Sequence, residues 1–518
     1  MAMNFIGCDR DQVFLMPPSL REWVPEDHLV WTVLDAVAEM DLGAFYAGYR
    51  VDGHGRPAYE PSMMVALLLY AFARGNRSSR AIERALVEDV AYRVVAGNLV
   101  PDHSTIADFR VRHEAALAEL FTGVLGLCGR AGLVSVGVVA IDGTKVAASA
   151  SREANRSYEQ IAREILAEAA ETDRCEDKLY GQARGDELPE RLRTSEGRKV
   201  ALREAKEKLE RERAGKQGAA SQTKPDAPER AGAKLDPERF VTRSHGRRAW
   251  FREARRGLEE QRALEARSVA RSRGQRLVEA ARRLEEELAV EAKANAAYEA
   301  WRARGVAADG SRRMAPGTTK PYRPPELPEG QVNTTDPDSR IMMTTGQRAL
   351  QGYNAQAAVN ERQIVVAAEV TIDSPDFGHL KPMVEATQRE LESAGAGLPG
   401  VIVADAGYWH KRQMENVVCR GIQVLIPPDS GLRKSARPGW EGELYAFMRR
   451  VLSTDHAKAL YRKRQATVEP VFGQMKFNRR LDRFQRRGKS ACRSEWRLFG
   501  ASHNLLKLHN HRIAALGA

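Results

Sequence analysis

Residues 135–143 read SVGVVAIDG, and residues 400–407 read GVIVADAG. Each is a short, β-branched, apolar run that closes on an aspartate and a glycine. That is the pattern of a strand buried on both faces and feeding a turn. A third run of this kind, IQVLIPP, occupies residues 422–428. Between the first two lie GYNAQAAVN (352–360) and QIVVAAEVTID (363–373), separated only by Glu361 and Arg362, which predicts a hairpin. LKPMVEATQRELESAGAG (380–397) and KRQMENVVCRG (411–421) read as helices, and residues 458–484 are helical in composition although they contain Pro470. The order is strand, strand, strand, helix, strand, helix, strand, helix. It predicts an α/β layer architecture, a mixed sheet covered by helices.

On the N-terminal side, residues 1–133 predict an all-helical domain. Apolar residues recur at helical spacing in Leu29, Val33, Val37 and Met40, and again in Met63, Leu67, Tyr70 and Ala71. Ser78 and Ser79 precede a helix that Gly97 closes. Pro101 and Ser104 precede a short helix carrying Arg110, Arg112 and His113, which could enter a DNA groove.

Between the first strand (134–151) and the rest of the core (331–490), residues 152–330 are rich in Ala, Glu and Arg. Two helical stretches, about 153–213 and 246–303, flank a breaker region at 215–239. Leu277, Ala281, Leu284 and Leu288 in one, and Tyr158, Ile161 and Ile165 in the other, predict a coiled-coil-like antiparallel hairpin projecting from the core.

The 518 residues exceed one compact core and suggest about three structural units. A hydrophobic fraction of 43% excludes a wholly disordered chain. Five scattered cysteines without a CxxC pair argue against a disulfide framework or a zinc ribbon. The longest apolar run, near Met63 to Phe72, falls short of the roughly 20 residues of a membrane span. The N-terminus lacks a signal-peptide layout, so a cytoplasmic protein with no membrane partner is expected, nucleoid-associated when bound to DNA. The net charge is +12, and its densest part is residues 461–518, with 14 basic and 3 acidic residues. A one-signed segment of this kind suits a polyphosphate partner; the alternative is a solvated basic tail over 491–518.

Three acids stand out by context. Asp142 and Asp405 end predicted strands, where open α/β sheets build their sites. Glu469 lies in a basic helix beside Pro470, as a salt-bridge partner or a metal ligand. Carboxylates are the hard donors that Mg²⁺ and Mn²⁺ prefer, and a pair of such ions about 4 Å apart would serve an in-line phosphoryl displacement. Singly, strand-end aspartates commonly cap turns. Asp336, Asp338, Asp373 and Asp376 are also near strand ends. The SPDFG context of Asp373 reads as turn chemistry. His410 reads as structural, and Trp409 as a base-stacking residue or a core lid.

AIDGTKVAASAS (140–151), VIVADAGYW (401–409) and YRKRQATVEPVFGQMK (461–476) resemble the transposases of bacterial insertion sequences with an RNase H-like DDE core. The span from PSMMVALLLYAF (61–72) to PDHSTIADFR (101–110) is similar to the helical N-terminal domain of one large group of them. GYNAQAAVN and VVAAEVTIDSPD resemble their second and third core strands. The resemblance implies that Asp142, Asp405 and Glu469 are catalytic and hold two Mg²⁺ (or Mn²⁺) ions. It implies hydrolysis of a phosphodiester at the element's end and attack of the freed 3′-hydroxyl on target DNA. The partners would be double-stranded DNA, both inverted repeats and target, with a homodimer in the active complex.

The family's last helix follows Tyr-x2-Arg-x3-Glu-x6-Lys. Tyr461, Arg464, Glu469 and Lys476 match it except that four residues separate Arg464 from Glu469, which leaves the arginine's role open between Arg464 and Arg462. Tyr461, Arg464, Lys476, Arg479, Arg480 and Arg483, followed by Arg486 and Arg487, are expected to contact DNA, as are Arg110 and Arg112. The family's large insertion usually follows the fifth strand, whereas this one follows the first. Rival readings are a metal-dependent endonuclease of the same fold and a catalytically silent DNA-binding scaffold.

Overall fold

The structure, a computed structural model, describes residues 19–49, 58–180, 246–264, 272–305, 325–344, 349–429 and 442–516, together with 200, 322 and 323. The chain is mixed α/β. Its described strands are β1 (Val138–Ala147), β2 (Asn155–Ser157), β3 (Gln331–Asn333), β4 (Arg340–Met343), β5 (Ala349–Asn360), β6 (Val365–Thr371), β7 (Val401–Ala404) and β8 (Gln423–Leu425). The main sheet runs β4-β5-β1-β7-β8, and β6 pairs with β5. β4 lies opposite residues 349–352 of β5 and β6 opposite 354–359, so the two share one edge of that long strand. β5 is antiparallel to β1, β4 and β6, while β1, β7 and β8 are parallel to one another.

The parallel centre accounts for the continuous apolar runs. Val139, Ala140 and Ile141 of β1 and Ile402, Val403 and Ala404 of β7 are wholly buried, because helices cover both faces. The short Glu361–Arg362 connection makes the predicted β5–β6 hairpin, with Gln363 at φ 61°.

The N-terminal part forms helices α1 (Leu29–Glu39), α2 (Pro61–Ala73), α3 (Ser79–Glu88), α4 (Val90–Val95), α5 (His103–Arg112) and α6 (Glu114–Arg130). α2 opens on Pro61, whose missing N–H is no loss in a first turn, and is buried from Met64 to Ala73. The cap of α5 is Asp102, which accepts from the Thr105 N–H at 2.6 Å, rather than Ser104.

In the insertion, β2 and β3 pair antiparallel, Asn155 opposite Asn333, and bring its two ends together. α7 (Tyr158–Tyr180) packs on α9 (Arg273–Ala303) through Ile161, Leu277, Ala280, Ala281, Leu284 and Val332. The second stretch differs from the single helix expected over 246–303. α8 (Arg247–Leu264) precedes α9, and Ser272 and Gln275 start α9 with a reciprocal capping box, a local signal strong enough to begin a new helix. α8 runs antiparallel to α9, joined by Trp250, Ala254, Ala294 and Tyr298 and by the Arg255–Glu291 and Arg262–Glu286 pairs. The breaker region at 215–239 lies outside the described residues.

The insertion is docked on the core rather than simply projecting. Arg256 donates to Asp373 at 2.8 and 2.9 Å, Arg283 meets Asp338 at 2.8 Å, and Lys489 meets Glu259 at 3.2 Å.

The remaining helices are α10 (Leu380–Ser393), α11 (Lys411–Val418), α12 (Glu443–Ser453), α13 (Asp455–Gly473) and α14 (Lys489–Leu516). Residues 491–516 are thus part of a core helix instead of a solvated tail. α14 buries Cys492, Trp496, Phe499, Ala501 and Leu505, and Phe72 of α2 packs edge-on against Phe499 at 5.1 Å between ring centroids. The N-terminal helices and the sheet therefore share one hydrophobic core. Arg497 of α14 is buried between them, donating to the Ala118 carbonyl, Glu390 and Thr122 at 2.8–3.0 Å.

Candidate active site

The site follows from strand register. In the parallel β1–β7 pair Ile141 lies opposite Ala404, so the next residues, Asp142 and Asp405, stand side by side where β7 ends. Neighbouring strands are about 4.8 Å apart, close enough for the two carboxylates to feel each other. Asp405 also caps the following turn, accepting from the Gly407 N–H at 2.8 Å.

α13 crosses this end of the sheet and supplies the third acid. Arg464 of α13 places Nη1 2.8 Å from Asp142 Oδ2 and Nη2 3.7 Å from Glu469 Oε1, linking the strand acid to the helix acid. The helix carries Pro470 in its last turn, where the ring removes one backbone donor, and continues as a π-helical turn at Gln474–Asn478. That turn aims Lys476 at β1, and its Nζ donates to the Lys145 carbonyl at 3.1 Å.

The two strand carboxylates are crowded and largely buried, whereas Glu469 is 55% exposed. The Asp142 carboxyl is raised to about 6, chiefly by burial and also by Asp405 and Asp376, against the lowering effect of Arg464 and of the Gly143 N–H. Asp405 is raised by burial and then by Asp376. Burial and the neighbouring Lys145 lower Lys476. Tyr461 is half-buried beside Arg464, and burial raises its hydroxyl. Asp142, Asp405, Glu469, Tyr461, Arg464 and Lys476 thus converge on one end of the sheet.

The other expected DNA contacts divide into two sets. Arg480 and Arg483 are exposed, as are Arg112 and Arg487, whose Nε donates to the Ser149 carbonyl. Arg110 and Arg479 are interior. Arg110 donates to the Arg77 carbonyl at 2.9 Å, and Arg479 donates to Ser502 at 2.9 Å under the Phe499 ring. Arg486 is paired with Glu114 at 2.6 Å. Much of the positive charge of residues 461–518 is therefore matched inside the fold, which a count along the sequence has no means of showing. Trp409 is a lid, 2% exposed and stacked on Tyr445; His410 caps α11 through Nδ1 and stacks on Phe377. Asp336 and Asp338 are structural, the first accepting from Tyr353 and the Gly488 N–H, the second facing Arg283.

Sequence reasoning undervalued Asp376. It follows β6 and accepts from Asn354 and Gln356, each at 2.7 Å, with Lys145 Nζ at 3.4 Å. Gln356 also accepts from the fully buried Tyr408 hydroxyl. The alternation of GYNAQ, with Asn354 and Gln356 on one face of β5, was the available signal. Another is Phe477, 84% exposed on the π-helical turn beside Lys476.

Carboxylate oxygens suit a hard divalent cation, and the raised Asp142 marks a surplus of acid that such a charge would offset. The donor chemistry therefore fits. Among the described residues no three metal-ligating side chains are already closed into a cluster, and Arg464 occupies the face of Asp142 toward Glu469.

Two family models match the chain. "Transposase domain (DUF772)" matches residues 18–112, which hold α1 to α5, and "Transposase DDE domain" matches residues 432–509, which hold Glu469 and Lys476. Neither reaches Asp142 or Asp405. No curated protein and no solved structure matches. Among the described residues no helix is long and apolar enough to cross a membrane. The two matches, with a transposase domain at either side of the strands that carry Asp142 and Asp405, support an insertion-sequence transposase.

Proposed function

We propose that the chain is an insertion-sequence transposase that cuts phosphodiester bonds at the ends of its own element and joins the freed 3′-hydroxyl to target DNA, using Asp142, Asp405 and Glu469 on an RNase H-like core. The observation that carries the reading is the side-by-side placement of Asp142, which lies within β1 rather than at its end as the sequence suggested, and Asp405, which follows the last residue of the parallel strand β7, with Arg464 of α13 linking Asp142 to Glu469. The strand order β6-β5-β1-β7-β8, in which β6, β5 and β1 are antiparallel neighbours and β1 is also the first of the parallel trio β1, β7 and β8, supports the RNase H-like assignment.

Two divalent ions, Mg²⁺ or Mn²⁺, held by the three carboxylates would supply charge stabilisation for in-line displacement at phosphorus. The chain's own residues do the rest. Asp142 must shed its proton to act. Lys476, fixed by the Lys145 carbonyl, presents its ammonium to a phosphate near the cut, and Tyr461 and Arg464 border the same phosphate. Arg480, Arg483 and Arg112 meet backbone phosphates and so position the duplex without reading sequence. In the first step water attacks phosphorus and the 3′ oxygen leaves as a hydroxyl. In the second that 3′ oxygen attacks a target phosphorus and displaces the target's own 3′ oxygen. A homodimer would hold both element ends in the active complex, acting in the cytoplasm.

The test is nicking and joining of a duplex carrying the element's end by Asp142→Asn, Asp405→Asn and Glu469→Gln. Each should lose Mg²⁺-dependent cleavage while retaining DNA binding. Cleavage at the native rate by any one removes that residue from the site. Cleavage without joined product by the native protein would make it an endonuclease.

A further inference from the structure

We infer that Asp376 is a fourth carboxylate of this site and a direct ligand of its divalent cation, held for that role by Asn354 and Gln356 of β5. The inference rests on the reading of Asp142, Asp405 and Glu469 given above and extends the ligand set beyond those three.

Position comes first. Asp376 lies between the other strand acids. A Cβ on Gly143, next to Asp142, would stand 2.5 Å from Asp376 Oδ1, and a Cβ on Gly407, two residues beyond Asp405, would stand 3.7 Å from Asp376 Oδ2. Both flanking positions are glycine, so the carboxylate occupies a cradle that any side chain at Gly143 would fill. Its charge acts on both Asp142 and Asp405.

The surroundings orient this carboxylate mainly through neutral donors, with one ammonium at the edge of ion-pair distance. Asn354 and Gln356 each give it one neutral amide N–H, and the ammonium of Lys145 stands at 3.4 Å. Asp373, three residues earlier, is the contrast: a fork of two guanidinium bonds from Arg256 and the ring of His379 hold it well below the ordinary carboxylate range despite burial. Three clustered carboxylates met on this side by two neutral amides and the single ammonium of Lys145 suit a further positive charge.

A second observation points to a ligand independently of the acids. Asn354 is wholly buried, and its Oδ1 has no hydrogen-bond partner. That oxygen lies 2.8 Å from the Cβ position at Gly143, on the Asp376 side of β1. An amide oxygen buried without a donor is destabilising unless something electropositive meets it. Amide carbonyls are, with carboxylates, the oxygen donors that hard cations take.

The experiment is Mn²⁺ binding to the full-length protein, read from the electron paramagnetic resonance of free Mn²⁺, for the native chain, Asp405→Asn, Asp376→Asn and Asp376→Glu. Circular dichroism and the unfolding midpoint report on folding. Asp376→Asn, which can still accept from Asn354 and Gln356, should bind Mn²⁺ at least tenfold more weakly with its fold kept. Asp376→Glu keeps the charge but moves the oxygens, and should lose about fivefold; it decides the matter should the asparagine variant not fold. Native affinity in a folded Asp376 variant, with affinity lost in Asp405→Asn, overturns the inference and leaves the three-acid reading standing. Native affinity in Asp405→Asn, or no binding by the native chain, overturns that reading and the inference with it.

Discussion

Arg464 Nη1 lies 2.8 Å from Asp142 Oδ2, so a helix residue and a strand residue 322 positions apart in sequence are joined in the centre of the site. The contact gives Arg464 a role inside the fold: it offsets part of the charge of the clustered acids, and it ties the helix bearing Glu469 to the strand bearing Asp142. Removing it should raise the Asp142 carboxyl above about 6, since Arg464 exerts the largest lowering effect on it. Arg464→Ala should therefore shift the acid limb of the cleavage–pH profile to higher pH. An unshifted limb would show that Asp142 does not govern it.

Asp142 also links stability to pH. Its ordinary value is 3.8 and its folded value about 6. Between these the folded chain holds a proton that the unfolded chain has lost, so this contribution is fully present below about pH 4 and is lost as pH rises through 6. At pH 8, without metal, Asp142→Asn should raise the unfolding free energy by about 1–3 kcal/mol, a gain that shrinks toward pH 4. Chemical denaturation at the two pH values checks it.

Metal affinity should follow the same proton. A carboxylate must be ionised to ligate, so Mn²⁺ affinity should fall by up to about tenfold per pH unit below 6. A flat affinity between pH 5 and 7 would count against Asp142 as a ligand.

The division of the arginines is testable by salt. Alanine at Arg480 and Arg483 together should weaken DNA binding and lower the log–log salt slope by about 2, near 0.9 per phosphate contact. Arg479→Met should leave the slope unchanged, because that guanidinium is buried under Phe499, where burial lowers it to about 10.

Arg256 is one of three ties that dock the insertion, and its guanidinium also donates to the Gly378 carbonyl at 3.1 Å. Arg256→Ala leaves the largely buried Asp373 with the His379 ring as its remaining ion-pair partner among the described residues and should cost about 2–3 kcal/mol locally. Amide hydrogen exchange in α8 should accelerate while that in β1 stays slow.

What the sequence by itself determined is local. The apolar runs ending at Asp142 and Asp405 specify buried strands because continuous Val and Ile suit only a sheet covered on both faces, and the spacing from Tyr461 to Lys476 marks the helix that carries Glu469. The shared core of the N-terminal helices and α14, and the break before α9, were less legible. The first depends on packing such as Phe72 on Phe499, and the second on one cap at Ser272 within a helix-prone composition. Only the tertiary structure decided which charges face solvent. Arg479 and Arg480 are neighbours in sequence, yet one is buried and the other exposed, because the backbone turns through the left-handed region at Arg480. It likewise decided that Asp376 rather than Asp373 joins the acids. Gly143, Asn354 and Gln356, from two other strands, make room for and orient one of two similar aspartates, and that selection is a matter of distance in space, to which sequence spacing is blind.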